Sequence, residues 1–220
     1  MRVVAALIAF IGLTGWAQAK DQAAPKAPVS VVAPVTPQNL WHLTLSTGGD
    51  VVIALRPDVA PAHVERIKTL TRAGFYNGVV FHRVIDGFMA QTGDPQGTGE
   101  GGSPLPDVKA EFNDLPHLRG SVSMARAQSV DSANSQFFIV FQPTLRLDGK
   151  YTVFGRVVSG MPYVDAVARG EPPATPSRIV KAWIEADGPN AAPIPLPVAA
   201  APGAPTPAAP APQPQPQPAQ

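Results

Sequence analysis

Residues 188–220 of this 220-residue chain read GPNAAPIPLPVAAAPGAPTPAAPAPQPQPQPAQ. They carry no charge and no aromatic ring, and Pro recurs at almost every second or third place. Proline has no amide N–H and a locked φ, so such a run joins neither a helix interior nor a sheet ladder. With little apolar bulk to bury, it cannot offset the entropy of ordering. It reads as a disordered tail of polyproline II character. Residues 20–38, KDQAAPKAPVSVVAPVTPQ, are also rich in Pro and Ala without a period, and read as a linker. Whatever core the chain has must come from residues 39–187, which have the composition of one globular domain.

The N-terminus follows an export pattern. A short positive start, Met1-Arg2, precedes the uncharged apolar run VVAALIAFIGLTGW (3–16). Ala17-Gln18-Ala19 is then a small-x-small cleavage site, so residues 1–19 read as a signal peptide. The run is short for a membrane span, and no stable insertion is expected after cleavage. The expected location is the periplasm, or the exterior of a cell without an outer membrane. There is no Cys, which excludes disulfides, lipid attachment at a lipobox, a thiol nucleophile and thiolate metal ligands. Loss of Arg2 leaves 16 basic (17 minus 1) against 16 acidic side chains, so nothing recruits nucleic acid.

Within the domain, LWHLTLSTGGDVVIALRP (40–57) reads as two strands about a Gly-Gly-Asp turn. Helical spacing of Val64, Ile67 and Leu70, with Pro61 before and Gly74 after, predicts a helix over 61–74. Further strands are expected at 78–85, 88–92, 120–126, 135–141, 151–158 and 177–186, with a second helix over 161–170. Many short strands without strict β-α-β alternation predict a mainly β fold, a largely antiparallel closed sheet with two helices.

Several chemical readings fall away. GTGEGG (97–102) has dinucleotide-type glycine spacing, but SPLPD follows it and cannot open the required helix. His42, His63, His82 and His117 lack metal-ligand spacing and Cys partners. A Ser-His-Asp set is open from residue order alone, without a nucleophile-elbow motif. The stretch VVFHRVIDGFMAQTGD (79–94) is more specific. Alternation places Arg83 on one strand face with Phe81 and Ile85, where a permanent charge needs a partner. By residue type alone that partner is a carboxylate such as Asp86. Asp86-Gly87 then turns the chain, bringing Phe88, Met89 and Gln91 near Arg83, with Gln136, Phe138 and Leu147 supplied from later strands and turns.

FHRVIDGFMAQTGDPQGTGEGG, MARAQSVDSANSQFFIVF and LDGKYTVFGRV together resemble the cyclophilin family of peptidyl-prolyl isomerases, in order over 39–187. The resemblance implies an eight-stranded antiparallel barrel capped by two helices, with a groove on its outer face. It implies that Arg83 is catalytic and that Gln91 hydrogen-bonds substrate backbone and orients Arg83. It implies a proline pocket of Phe88, Met89, Phe138 and Leu147. Ala125, Arg126 and Gln136 would line the groove, Arg126 mainly through its backbone, and Tyr151 would stand at its rim. No cofactor or metal is implied. Proline-containing polypeptides are the expected partners of a monomeric enzyme that assists folding of exported proteins. A proline-binding adaptor with little turnover is the alternative. Asp86 stands where many members have Pro, Tyr151 where they have His, and Arg146 where eukaryotic members have a cyclosporin-contacting Trp. The loop QSVDS (128–132) has the longer bacterial form.

Overall fold

The computed structural model describes residues 35–196; residues 1–34, with the expected signal peptide and most of the expected linker, and residues 197–220 lie outside them. Strand β1 (Leu40–Leu45) alternates strictly, burying Trp41, Leu43 and Leu45. It pairs antiparallel with β2 (Gly49–Leu55), which buries Val51, Ile53 and Leu55. Helix α1 (Pro61–Arg72) presents Val64, Ile67 and Leu70 to the core. Its first residue is the expected Pro61, and Gly74 ends it in a left-handed conformation, φ +70°. No local side chain caps α1. Glu111, from a distant loop, accepts the N–H groups of Ala62 and His63 at 3.0 Å each.

The remaining strands are β3 (Arg83–Ile85), β4 (Met89–Thr92), β5 (Ser121–Met124), β6 (Phe137–Val140), β7 (Val153–Ser159) and β8 (Ile179–Ile184). All eight form one antiparallel sheet in the order β3-β4-β6-β5-β7-β2-β1-β8. The sheet curls into a half-barrel rather than closing fully: β3 and β8, its edges, are not paired with each other. Residues 78–81, just before β3, span the gap through bonds from Gly78 N to Ile179 O (2.7 Å), Ile179 N to Val79 O (2.9 Å) and Phe81 N to Ser177 O (2.8 Å).

Helix α2 (Met161–Asp165) is half the expected length. The chain leaves it because Gly170 is needed elsewhere: it exchanges both backbone bonds with Val84 of β3, at 2.8 and 2.9 Å. Gly170 has φ +143°, and a Cβ there would meet Pro173 Cα at 2.6 Å. The folded body also runs past residue 187. Ile194 N donates to Arg72 O at 2.9 Å, and Leu196 packs against the core. Proline forbids ladders but not packing: Leu196 supplies apolar bulk at the head of the tail, and Ile194, its side chain exposed, supplies a backbone bond.

Two apolar clusters result from period-2 alternation. The main core lies inside the barrel, around Trp41, Tyr76 and Phe137, whose rings meet at 5.0–5.7 Å between centroids. The second lies on the outer face and contains Phe88, Met89, Ala125, Phe138, Val140, Leu147 and Tyr151. On β6, Phe137 and Ile139 point inward while Phe138 and Val140 point outward.

Candidate functional site

The outer cluster sits beside a transverse row of residues. Arg83 on β3 faces Gln91 on β4, which faces Phe138 on β6, which faces Ser123 on β5. With neighbouring strands about 4.8 Å apart, Arg83 and Phe138 lie roughly 10 Å apart along this row. Met89, one pleat along from Gln91, opposes Val140 and Ile85. Phe88 arrives from the turn before β4, where its carbonyl accepts from Phe141 N at 2.8 Å.

Leu147 comes from a short 3-10 turn, Leu145–Leu147, that buries Leu147 and exposes Leu145 and Arg146. His117 holds this turn in place. Its Nδ1 lies 2.7 Å from Asp148 Oδ1, and its ring lies parallel to that of Phe138, 6.2 Å between centroids. Tyr151 meets Phe138 edge-on at 5.8 Å. Met89 and Phe138 are fully buried and form the floor. Phe88, Ala125, Leu147 and Tyr151 retain a little exposure at the mouth.

Arg83 is 7 % exposed. The strand carrying it breaks at 81–82, so Phe81 turns into the main core while Arg83 and Ile85 face outward. The expected sharing of a face with Phe81 is therefore corrected. Arg83 Nε donates to Glu171 Oε2 at 2.6 Å. Asp86, the local carboxylate, instead takes Arg169 at 3.1 Å and is largely exposed. Arg83 thus has a partner within the chain, far away in sequence.

Behind the row lies a polar relay. Gln91 Nε2 donates to Gln136 Oε1 at 2.9 Å, and Gln136 Nε2 donates to Gly99 O and Gly101 O at 2.9 and 2.8 Å. Gln136 is buried, so it braces the groove wall from behind. The loop it grips, 94–102, is wound around the Asp94 carboxylate. Asp94 accepts from the N–H groups of Gln96, Thr98 and Gly99 and from the Thr98 hydroxyl. Burial pushes the Asp94 carboxyl upward, but the N–H groups of Gln96, Gly99 and Gly101 and the Thr98 hydroxyl outweigh it and hold it below its ordinary value. The glycine-rich loop thus already has its anion, the chain's own carboxylate, which accounts for its spacing without a nucleotide.

A family model described as cyclophilin type peptidyl-prolyl cis-trans isomerase matches residues 42–184. The chain belongs to the cyclophilin family. A probable peptidyl-prolyl cis-trans isomerase of Brucella suis is 49% identical over 175 residues, covering 72% of this chain and 89% of the relative. The fold is similar to that of a cyclophilin from Hirschia baltica, with TM-score 0.65 and 31% identity over 70% of this chain and 76% of the other. It is also similar to a cyclophilin-type isomerase of Cryptosporidium parvum crystallised in the presence of the dipeptide Ala-Pro, with TM-score 0.62 and 28% identity over 66% of this chain and 98% of the other.

This cyclophilin is a peptidyl-prolyl cis-trans isomerase with the mainly β architecture of its family. The residues assigned by resemblance fall into three places. Arg83 and Gln91 share the row; Phe88, Met89, Ala125, Phe138, Leu147 and Tyr151 form the outer cluster; Gln136 lies behind the wall. The Arg126 side chain is turned away from the role expected of its backbone and packs on the groove rim. Its guanidinium sits 4.8 Å above the Tyr151 ring and donates to Lys150 O, Ala127 O and Gln128 O. Burial raises the Tyr151 phenol above its ordinary value, while Arg126 and Arg83 pull it back.

The structure does assemble a Ser-His-Asp set, with His117 Nδ1 at Asp148 and Nε2 3.1 Å from Ser123 Oγ. Burial lowers the His117 pKa against the opposing Asp148. Yet Ser123 and His117 are fully buried, and Ser123 Oγ is also 2.9 Å from Thr152 O. No substrate carbonyl can reach this hydroxyl, so the set serves as a clamp behind Phe138. Among the described residues no cluster of three His, Asp or Glu side chains could hold a metal ion.

Proposed function

We propose that this isomerase acts as a monomer on proline-containing segments of exported polypeptides and assists their folding, with Arg83 stabilising the twisted transition state. The export half of the reading rests on the leader 1–19. The mechanistic half rests on one observation: a nearly buried guanidinium stands in the same strand row as the floor of an apolar pocket. The Ala-Pro dipeptide present with the Cryptosporidium parvum relative supports a proline ring as the occupant of such a pocket.

An Xaa-Pro bond rotates slowly because amide resonance opposes it, with a barrier of roughly 18–20 kcal/mol. No bond to carbon is made or broken, so a nucleophile has no task. At the twisted geometry the prolyl nitrogen pyramidalises and regains its lone pair, becoming an acceptor that neither ground state offers. A fixed donor aimed there acts on the transition state alone. One charge-assisted bond contributes about 1.5–3 kcal/mol, or about tenfold to a hundredfold in rate. Gripping the ring while the preceding carbonyl turns contributes the rest. Gln91 Oε1 is buried without a hydrogen-bond partner among the described residues. Such an acceptor is costly to leave unmet, and a substrate N–H arriving in the groove would meet it.

The reading is tested by NMR exchange spectroscopy on an Ala-Pro peptide with catalytic amounts of protein. Accelerated exchange that falls at least about tenfold in a folded Arg83→Ala variant is expected. Peptide binding without acceleration would make the domain an adaptor instead.

A further inference from the structure

Two guanidinium groups flank the outer pocket, each over one of its aromatic rings. Arg126 Cζ lies 4.8 Å from the Tyr151 centroid and Arg146 Cζ lies 4.9 Å from that of Phe88. Arg126 gives its Nε and Nη1 N–H groups to backbone carbonyls, which leaves its charge uncompensated. Among the described residues neither arginine forms an ion pair. The carboxylates beside the pocket are already engaged: Asp86 with Arg169, Glu171 with Arg83 and Asp148 with His117. Lys150, exposed next to Tyr151, adds a third cation. Arg146 also walls an open depression with Phe88, Gly87, Gln142 and Leu145, where chain flanking a bound proline would find room; the Asp86 carboxylate that also lines it is paired with Arg169 at 3.1 Å.

An exposed ion pair is usually weak because two flexible side chains must be ordered to make it. Stacking on a ring removes part of that cost in advance for these arginines. We infer that the groove selects acidic segments: an Asp or Glu close to the proline raises turnover through Arg126 and Arg146, and a Lys or Arg there lowers it. This inference rests on the isomerase reading of the groove and adds its substrate class.

The test uses NMR exchange with three peptides in which Ala-Pro is flanked on both sides by Glu, Gln or Lys. The order of kcat/KM is expected to be Glu above Gln above Lys. With two to four exposed charge contacts changing sign, the Glu-to-Lys ratio should be about tenfold at low ionic strength. It should shrink towards one in 0.5 M NaCl, where the Debye length is only a few ångströms, about 4 Å. In the double variant Arg126→Gln with Arg146→Gln the low-salt ratio should fall below about twofold. A flat ratio in the wild-type protein, or a ratio that survives the double substitution or high salt, would overturn the inference. Turnover of the Gln peptide separates the two claims. If that peptide turns over and the ratio is flat, only the acidic preference fails. If it does not turn over, the isomerase reading falls too.

Discussion

Arg83 Nε donates to Glu171 Oε2 at 2.6 Å, across 88 residues of sequence. Glu171 follows directly on Gly170, which is itself bound to Val84 beside Arg83. Backbone and side-chain contacts therefore hold one segment against β3, and the guanidinium is held at Nε by a residue outside the apolar cluster. Glu171 is a positioning residue in this account. Its side chain is half exposed, so the pair contributes modestly. Glu171→Gln should lower kcat by about two- to fivefold with little change in KM. On an Arg83→Ala background the same substitution should have no further effect on kcat. An equal loss on both backgrounds would show that Glu171 does not act through Arg83.

The loop around Asp94 should couple stability to turnover. A Cβ on Gly101 would lie 2.1 Å from Asp94 Oδ1, and the Gly101 carbonyl holds Gln136, which holds Gln91. Gly101→Ala and Asp94→Asn should each cost about 1–3 kcal/mol of stability, read from urea midpoints. Both should also lower kcat at temperatures where the protein is folded. Wild-type midpoints in both variants would contradict this role.

Acid should weaken the fold before any carboxylate titrates. Burial holds His63, His82 and His117 below their ordinary pKa, with Glu111, Asp94 and Asp148 opposing it in turn. Both ring nitrogens of His82 are buried and, among the described residues, neither has a hydrogen-bond partner of good geometry. The unfolded chain, with imidazoles near their ordinary value of about 6.5, binds more protons than the native state just below that pH. Stability therefore rises with pH there and is lost on acidification. Urea midpoints should be lower at pH 5.5 than at pH 7.5, and His82→Phe should flatten the slope. A midpoint unchanged or raised at the lower pH would contradict this.

The start of the tail should matter to folding. A chain ending at residue 187 loses the Leu196 packing and the bond from Ile194 to Arg72. It should be about 1–2 kcal/mol less stable than one ending at 196. Equal midpoints for the two chains would contradict the packing.

The legible parts of this fold were those written in local patterns. The strict alternation of β1, the helical spacing of Val64, Ile67 and Leu70, and the turn at Asp86-Gly87 each depend on neighbours only. What escaped depends on partners far along the chain. Glu111 caps α1, Gly170 ends α2 early by pairing with Val84, and Glu171 reaches Arg83. No period or motif carries such information. Asp86 was the natural local partner for Arg83, yet the β3–β4 turn projects it toward Arg169. At the site, the family motifs singled out Phe88, Met89, Phe138 and Leu147, which the fold gathers into one cluster, while the stacking of Arg126 on Tyr151 required the fold.

The central claim is that Arg83 acts on the rotating bond rather than on binding. The direct measurement separates the two in one peptide: its Kd by titration, and its exchange rate at saturating peptide, for wild type and Arg83→Ala. The account predicts that the saturated rate falls about tenfold to a hundredfold, while Kd changes less than about threefold. A Kd weakened in proportion, with the saturated rate preserved, would contradict it.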